Sequence, residues 1–256
     1  IHHRPLRLTA AAPEKAMVEH MQEHTVRSYS EDLRRLRESI ERMGGLAERQ
    51  VADAVTALVR RDTDLAAEVV QRDAAIDALE RDVETFCIRL LALRQPVGQD
   101  LRFIVAALKV CHGLERIGDY ARNAAKRAIV VAEQPPLGSL NGFQRMARMV
   151  QSNLKDAIDA LVNDDAAKAD EVWANDEPVD EIYNGIFREM LTFMMEDPRN
   201  ITAATHLLFV AKNLERIGDH ATNIAETVHY AVRGDSLPED RPKADNSASA
   251  VVRPLA

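Results

Sequence analysis

The sequence predicts an all-α protein built as two tandem three-helix bundles, and three observations point to this fold class. Aromatic residues make up only 4% of the 256 residues, whereas helix-forming residues are plentiful. Apolar residues recur mostly three or four positions apart over long stretches, which is the period of a helix. The hexapeptide Leu-Glu-Arg-Ile-Gly-Asp occurs at residues 114–119 and again at 214–219. The chain therefore contains an internal duplication of one helical unit.

The first repeat spans residues 28–133 and follows an amino-terminal extension. Residues 1–27 show weak periodicity, and the opening Ile-His-His is typical of a cloning remnant. At Ser28 the pattern changes, because Ser28 and Glu31 have the spacing of a capping box, and apolar positions at helical spacing then follow as far as Leu58. We therefore predict that the first long helix begins at Ser28.

Two further helices complete the first repeat. Asp62 or Thr63 caps the second helix, whose apolar positions continue until Pro96 and Gly98 interrupt them. The third helix covers residues 101 to about 131. Helices joined by short connections pack antiparallel, so the repeat should be an up-down-up bundle.

The second repeat has the same plan as the first. Turn-forming residues mark a linker at 134–142, and the second repeat spans 143–233. Residues 51–59 match residues 154–162 at an offset of 103. We therefore predict six helices, with the two bundles related by a pseudo-twofold axis. Residues 234–256 have the polar, proline-punctuated composition of a flexible tail.

Composition and charge argue against several classes of function. The net charge of −8, without a basic stripe, disfavours nucleic acid as a partner. No apolar run approaches the roughly 20 residues needed to cross a bilayer, and the amino terminus lacks the apolar core of a signal peptide. Cys87 and Cys111 lie within helical patterns, where reduced buried thiols are more typical than a disulfide. A cytoplasmic protein is predicted.

The repeated hexapeptide places acidic side chains in a row on one helix face. Glu115 and Asp119 are four residues apart, and Asn123 extends the row by one more turn. The second repeat carries the same row as Glu215, Asp219 and Asn223. Gly118 and Gly218 lie within these helices, where glycine costs roughly 1 kcal/mol relative to alanine. A close approach by another group is the expected reason for both glycines.

The second helix of each repeat supplies a further acidic pair. These pairs are Asp73 with Asp77 and, at the offset of 103, Asp176 with Asp180. An oxygen-rich set of donors without cysteine suits a cation such as Mg²⁺, Mn²⁺ or iron. The sequence therefore predicts one metal site in each repeat, with Asn123 and Asn223 as additional oxygen ligands.

Two other interpretations of the carboxylates remain open at this point. They could form solvated helix faces paired with arginines, in which case the protein is a helical adaptor without metal. They could also form the centre of a carboxylate-bridged metalloenzyme, although no Glu-x-x-His spacing accompanies Glu115 or Glu215. His112 and His220 do not correspond between the repeats, and a surface role is expected for both. Because no catalytic motif is visible, we do not predict an enzyme.

The doubled hexapeptide occurs in a wider context that resembles a known family. Arg-Gln-Pro at 94–96 and Asp-Leu-Arg at 100–102 precede the first copy, and Met-Met-Glu-Asp-Pro-Arg at 194–199 precedes the second. Together with the asparagine that follows each copy, these segments resemble the PhoU family of bacterial phosphate-transport accessory regulators. The resemblance covers residues 28–233.

The resemblance implies a fold, a function and partners. It implies a cytoplasmic homodimer of chains that each contain two three-helix bundles, acting as a negative regulator of phosphate uptake and of the phosphate-starvation response. The implied partners are the ATPase subunit of the phosphate ABC transporter and the phosphate-sensing histidine kinase. Contact with the membrane would then be indirect, through these partners.

The resemblance also implies metal bound at Glu/Asp-x-x-x-Asp motifs. Iron, zinc, manganese or magnesium occupies such motifs in the family. The matching ligands in this chain are Asp73, Asp77, Glu115, Asp119, Asp176, Asp180, Glu215 and Asp219. The repeats differ at Lys212, which stands where the first repeat has His112, and at Pro178, which is expected to kink the fifth helix.

Overall fold

The computed structural model describes the backbone of residues 12–238 and the side chains of residues 27–238. Within this part of the chain every regular element is helical, which confirms the predicted all-α fold of two three-helix bundles. The elements in chain order are α1 (Ala12–Arg60), α2 (Thr63–Arg94), α3 (Gly98–Ala132), α4 (Asn141–Val162), α5 (Ala166–Ala174), α6 (Glu177–Glu196), a 3-10 turn (Pro198–Asn200) and α7 (Ile201–Arg233).

The first helix begins earlier than predicted. Helix α1 starts at Ala12 and passes Ser28 without a break, so the predicted start at Ser28 is wrong. The residues before Ser28 are rich in Ala, Glu and Met, which favour helix, so no cap is needed there. The hydroxyl of Ser28 instead accepts a hydrogen bond from Arg94 Nη2 at 2.7 Å. Residues 1–11 of the predicted extension lie outside the described part.

The predicted fifth helix is divided into α5 and α6. Pro178 lies in the first turn of α6, where its missing N–H is tolerated, but the same residue could not continue an unbroken helix. The first repeat has Ala75 at the equivalent position, and its α2 is continuous. At the break, the Nδ2 atom of Asn153 donates to the carbonyl of Asn175 at 3.3 Å. This contact satisfies a backbone group that the interruption leaves open.

The two repeats meet along α3 and α7, which run antiparallel. Near one end Arg102 Nε donates to the carbonyl of Ala231 at 3.1 Å, and near the middle Arg216 reaches the Tyr120 hydroxyl at 3.5 Å. Helices α3 and α7 are the equivalent helices of the two repeats, and their line of contact forms a seam between the repeats. It brings the two copies of the hexapeptide onto neighbouring helices.

The connection between the repeats, the end of α7 and the two cysteines lie within the described part of the chain. The predicted linker corresponds to the connection between α3 and α4, and Gly234 ends α7 with a positive φ of 86°. Residues 234–238 form no helix, and the rest of the predicted tail lies outside the described residues. Cys87 and Cys111 are both buried and free. Among the described helices, none has an apolar stretch long enough for a membrane span.

Candidate metal centre

Helices α2 and α3 of the first repeat bring three potential metal ligands together. Glu80 comes from α2, and His112 and Glu115 come from α3. One donor atom of each lies within 4.8 Å of the other two, and Glu80 Oε1 is 3.2 Å from His112 Nδ1. In the side chains of residues 27–238 this is the one group of three such donors that meets at this range. The donor set fits a divalent cation, since carboxylate and imidazole ligands suit manganese, iron or zinc.

Charge repulsion marks this cluster. Burial raises the pKa of Glu115 above its ordinary value, and the carboxylates of Asp119, Glu80 and Asp77 raise it further. Arg116 opposes this effect but does not cancel it. Of the predicted pairs, Asp119 raises the pKa of its own partner Glu115, and Asp77, whose predicted partner is Asp73, also acts on Glu115. A bound cation would relieve the repulsion, and metal binding by these residues stays a prediction.

Asp73 belongs to a buried polar network and not to the cluster of Glu80, His112 and Glu115. Its side chain is only 4% exposed and forms an ion pair with Arg122. Gln50 Nε2 donates to Asp73 Oδ1 at 2.8 Å and to the carbonyl of Gly118 at 3.1 Å. The polar network thus joins α1, α2 and α3. A metal at Asp73 would have to compete with a guanidinium and an amide that already bind its oxygens.

Asp119 lies between the buried network of Asp73 and the cluster of Glu80, His112 and Glu115. Its Oδ1 lies 2.5 Å from Arg122 Nη2, and its Oδ2 accepts from Arg116 Nη1 at 3.2 Å. Asn123 is partly exposed one turn further along α3. The predicted row of Glu115, Asp119 and Asn123 therefore exists, but two arginines partly neutralise its centre.

The close approach expected at the two helical glycines is present at Gly118. A Cβ atom there would lie 2.9 Å from Ile76 Cδ1 and 3.2 Å from Asp73 Oδ1. At Gly218 the nearest atoms, on Val150 and Val179, would be at an ordinary 3.4 Å. A methyl group at position 118 would therefore press on Ile76 and on the Asp73 carboxylate, whereas position 218 has room for one.

The difference between the two glycines gives a matched test. We expect Gly118→Ala to lower the free energy of unfolding by about 1–2 kcal/mol, because the new methyl group overpacks the site. We expect Gly218→Ala to be neutral or to stabilise by up to about 1 kcal/mol through helix propensity. Urea denaturation of both variants measures the difference, and equal losses would contradict the assigned role of Gly118.

The second repeat arranges its acidic residues differently. Lys212 Nζ lies 2.8 Å from Glu215 Oε1, and Thr222 Oγ1 donates to Asp176 Oδ1 at 3.2 Å. Asp180 is buried on α6, four residues after Asp176. The remaining predicted ligands are the partly exposed Asp219 and the exposed Asn223, both on α7. An ammonium group thus lies where the first repeat has the imidazole of His112.

Three residues that contact the predicted ligands, Gln50, Glu80 and Arg122, were not among the predicted site residues. Glu80 lies three residues after Asp77 and so shares its helix face, which is a signal that the four-residue spacing alone overlooks. Gln50 is a buried polar residue among the apolar positions of α1. A polar residue on a predicted core face is the signal that could have identified it. Nothing in the sequence distinguishes Arg122 from the arginines on solvated faces.

The raised pKa of Glu115 predicts a dependence on pH. A raised carboxyl pKa means that the folded state binds a proton more readily than the unfolded state. The metal-free protein should therefore become more stable as pH falls from neutral through the raised pKa towards the ordinary glutamate value of 4.5.

Other groups also titrate in this range, so the comparison is with Glu115→Gln. This variant should lose part of the increase in stability, measured by denaturation at several pH values in the presence of a chelator. An identical pH profile for the two proteins would contradict the electrostatic account of the cluster.

Comparisons with known proteins agree with this architecture. The sequence profile of the PhoU domain matches residues 40–128 and 143–228, which correspond to the two repeats. The phosphate-specific transport system accessory protein PhoU homolog of Caulobacter vibrioides (strain NA1000 / CB15N) is 54% identical over 226 residues, covering 88% of this chain and 98% of the relative.

Two solved structures are also similar. The crystal structure of PhoU from Pseudomonas aeruginosa has a TM-score of 0.78 and 41% identity, covering 81% of this chain and 100% of that one. The phosphate transport system regulatory protein PhoU from Streptococcus pneumoniae has a TM-score of 0.76 and 29% identity, covering 82% of this chain and 99% of that one. With both repeats matched in order and relatives covered almost completely, the chain belongs to the PhoU family.

Proposed function

We propose that this chain is a metal-binding accessory regulator of phosphate transport. The observation that carries the proposal is the match of both repeats to the PhoU domain, together with 54% identity to a phosphate-specific transport system accessory protein. In this function the protein restrains phosphate uptake and the phosphate-starvation response when phosphate is plentiful. It links the ATPase subunit of the phosphate ABC transporter to the phosphate-sensing histidine kinase.

We place the protein in the cytoplasm as a homodimer. Both proposed partners present surfaces on that side of the membrane, so the chain would meet the membrane only through them. The net charge of −8 allows it to bind basic surfaces of partner proteins and disfavours nucleic acid.

The metal part of the proposal rests on the first repeat. Glu80, His112 and Glu115 would hold the ion, with Asp77 and Asp119 adding negative charge around it. A bound cation neutralises the repulsion between these carboxylates and so ties α2 to α3. The imidazole donor favours manganese, iron or zinc over magnesium, which prefers oxygen ligands.

The alternative, a carboxylate-bridged metalloenzyme, has less support from the geometry. A cavity of about 690 Å³ opens between the start of α3 and the end of α7, with Arg102, Lys109 and Tyr230 in its lining. None of the residues that line it is a predicted metal ligand. An enzyme of this class needs a cleft beside its metal, so the arrangement favours a regulator.

Deletion of the gene tests the regulatory part of the proposal. In a strain without the protein we expect the phosphate-uptake genes to stay active in high phosphate, and expression of the chain from a plasmid should repress them again. Transcript levels of the transporter genes, measured at high and low phosphate, give the result. Normal repression in the deletion strain would show that the proposed function is wrong.

A further inference from the structure

The three residues that meet in the first repeat have identifiable counterparts in the second. Helices α5 and α6 match α2 at an offset of 103, and α7 matches α3 at an offset of 100. The counterparts of Glu80, His112 and Glu115 are therefore Tyr183, Lys212 and Glu215. Only one carboxylate of the group is retained, and a cationic side chain replaces the imidazole.

These counterparts contact one another. The Lys212 ammonium lies 2.8 Å from Glu215 Oε1 and 4.9 Å from the centre of the Tyr183 ring. The side chain of Glu215 is 7% exposed and Tyr183 is buried, so the ammonium bridges two groups that are shielded from water. A charge-assisted hydrogen bond and a cation–π contact thus hold one cation over the retained carboxylate.

We propose that the Lys212 ammonium is the resident cation of the second repeat and takes the place of a metal ion there. This inference rests on the proposed metal site of the first repeat. It replaces the sequence prediction of a second metal site at Asp176, Asp180, Glu215 and Asp219. The chain then binds metal in one repeat and carries a permanent, covalently attached cation in the other.

The energetics favour the ammonium over a metal in the second repeat. A buried carboxylate needs a positive partner, and a tethered ammonium supplies one at any metal concentration. A divalent ion that entered would either lie close to the ammonium, with strong repulsion, or displace it and leave a lysine to be resolvated. Neither cost arises in the first repeat, where the imidazole of His112 stands in place of the ammonium and offers a metal a nitrogen ligand.

The partners of Asp73 and of its counterpart Asp176 also differ in charge, and here the cation is in the first repeat. In the first repeat Arg122 pairs with Asp73, whereas the equivalent contact in the second repeat is between the uncharged Thr222 and Asp176. Arg122 thus contacts Asp73 in the first repeat, and Lys212 contacts Glu215 in the second. In the first repeat the arginine lies at Asp73, so the carboxylate of Glu115 remains available to a metal ion.

The first experiment counts Mn²⁺ bound to the purified full chain by equilibrium dialysis and elemental analysis. We expect a single Mn²⁺ for the wild type and a second one for the variant Lys212→His with Tyr183→Glu, which copies the first repeat. The reciprocal variant, His112→Lys with Glu80→Tyr, should bind none. Lys155→His is the matched control, since Lys155 forms an exposed ion pair with Asp159 on α4, and it should bind as the wild type does.

The second experiment measures thermal unfolding with EDTA and then with Mn²⁺. In EDTA, Lys212→Met should lower Tm by about 5 °C or more, because the buried Glu215 loses the ammonium that contacts its Oε1, whereas Lys155→Met should change it little. Addition of Mn²⁺ should raise the Tm of the wild type, and it should raise the Tm of the variant Lys212→His with Tyr183→Glu by more. The reciprocal variant should show no response to Mn²⁺.

The outcomes separate this inference from the proposed function. Two Mn²⁺ ions bound to the wild type, or a Tm in EDTA that Lys212→Met leaves unchanged, would overturn the role of Lys212 while metal binding stands. A wild type that binds no Mn²⁺ would remove the metal part of the proposed function, and the Lys212→Met comparison in EDTA would still decide whether the ammonium is the resident cation. If the variant Lys212→His with Tyr183→Glu does not fold, His112→Lys with Glu80→Tyr and Lys212→Met still test whether the ammonium takes the place of a metal ion.

Discussion

Replacement of Asp73 by alanine should lower the free energy of unfolding by about 3 kcal/mol or more, the largest change in stability that we expect from a single polar residue. The carboxylate is 4% exposed and binds both Arg122 and Gln50. Its removal leaves a guanidinium and an amide in the interior with fewer acceptors, and the cost of such groups exceeds the value of the lost contacts.

Asp77 provides the matched control for this substitution. It lies one turn further along α2, is partly exposed, and contributes to the repulsion at Glu115. Asp77→Ala should therefore leave the metal-free protein equally stable or slightly more stable. Urea denaturation in a chelating buffer measures both variants. If the two substitutions cost the same, Asp73 does not have the structural role that its network assigns to it.

The combined replacement His112→Ala with Glu115→Gln should weaken metal binding by about 100-fold or more. The variant removes two of the three donors that meet in the first repeat and leaves only Glu80 with its neighbours. Because the His112 side chain is 67% exposed, the fold should tolerate the change. Glu115→Gln also removes a repelled charge, so the metal-free variant should be at least as stable as the wild type.

Titration with Mn²⁺, followed by the loss of the free-ion signal in electron paramagnetic resonance, measures the affinity. His206→Ala is the control, because His206 lies near Arg127 at the other end of the seam and takes no part in the cluster. We expect it to bind Mn²⁺ as the wild type does. An unchanged affinity in the double variant would show that Glu80, His112 and Glu115 are not the ligands.

Much of the fold could be predicted because it depends on local periodicity and on the duplication. The helical spacing of apolar residues and the turn formers near 62, 96 and 134–142 agree with the observed connections. The start of α1 could not be predicted, because Ser28 resembles a cap in sequence but binds Arg94 of α2 in space. A capping pattern indicates a helix start only when the preceding residues do not continue the helix.

The site could be predicted only in part, because its ligands depend on contacts between helices. The pairing of Glu115 with Asp119 follows from the helix period, and the Asp119 carboxylate raises the pKa of Glu115. The helix period does not predict which carboxylates lie in the buried network and which lie in the group with His112. Asp73 faces inward to Gln50, whereas Glu80 joins the outer group, and this depends on how α1 and α3 pack against α2.

The acidic pairs have the same spacing in both repeats, but the cationic side chains beside them differ. The sequence shows four complete acidic pairs, which predicts a metal site in each repeat. The structure shows a guanidinium at Asp73 in the first repeat and an ammonium at Glu215 in the second. Arg122 reaches Asp73 from another helix, so its effect appears only when the neighbours are placed in space, whereas Lys212 lies one turn before Glu215 on the same helix.

The most direct test of the account joins the metal centre to regulation in the cell. A strain that lacks the gene and carries a reporter for phosphate-uptake genes would receive the wild type, His112→Ala with Glu115→Gln, or His206→Ala, at equal protein levels. In high phosphate we expect repression by the wild type and by His206→Ala, and an active reporter with the double variant. Full repression by the double variant would contradict the claim that the first repeat regulates through its metal.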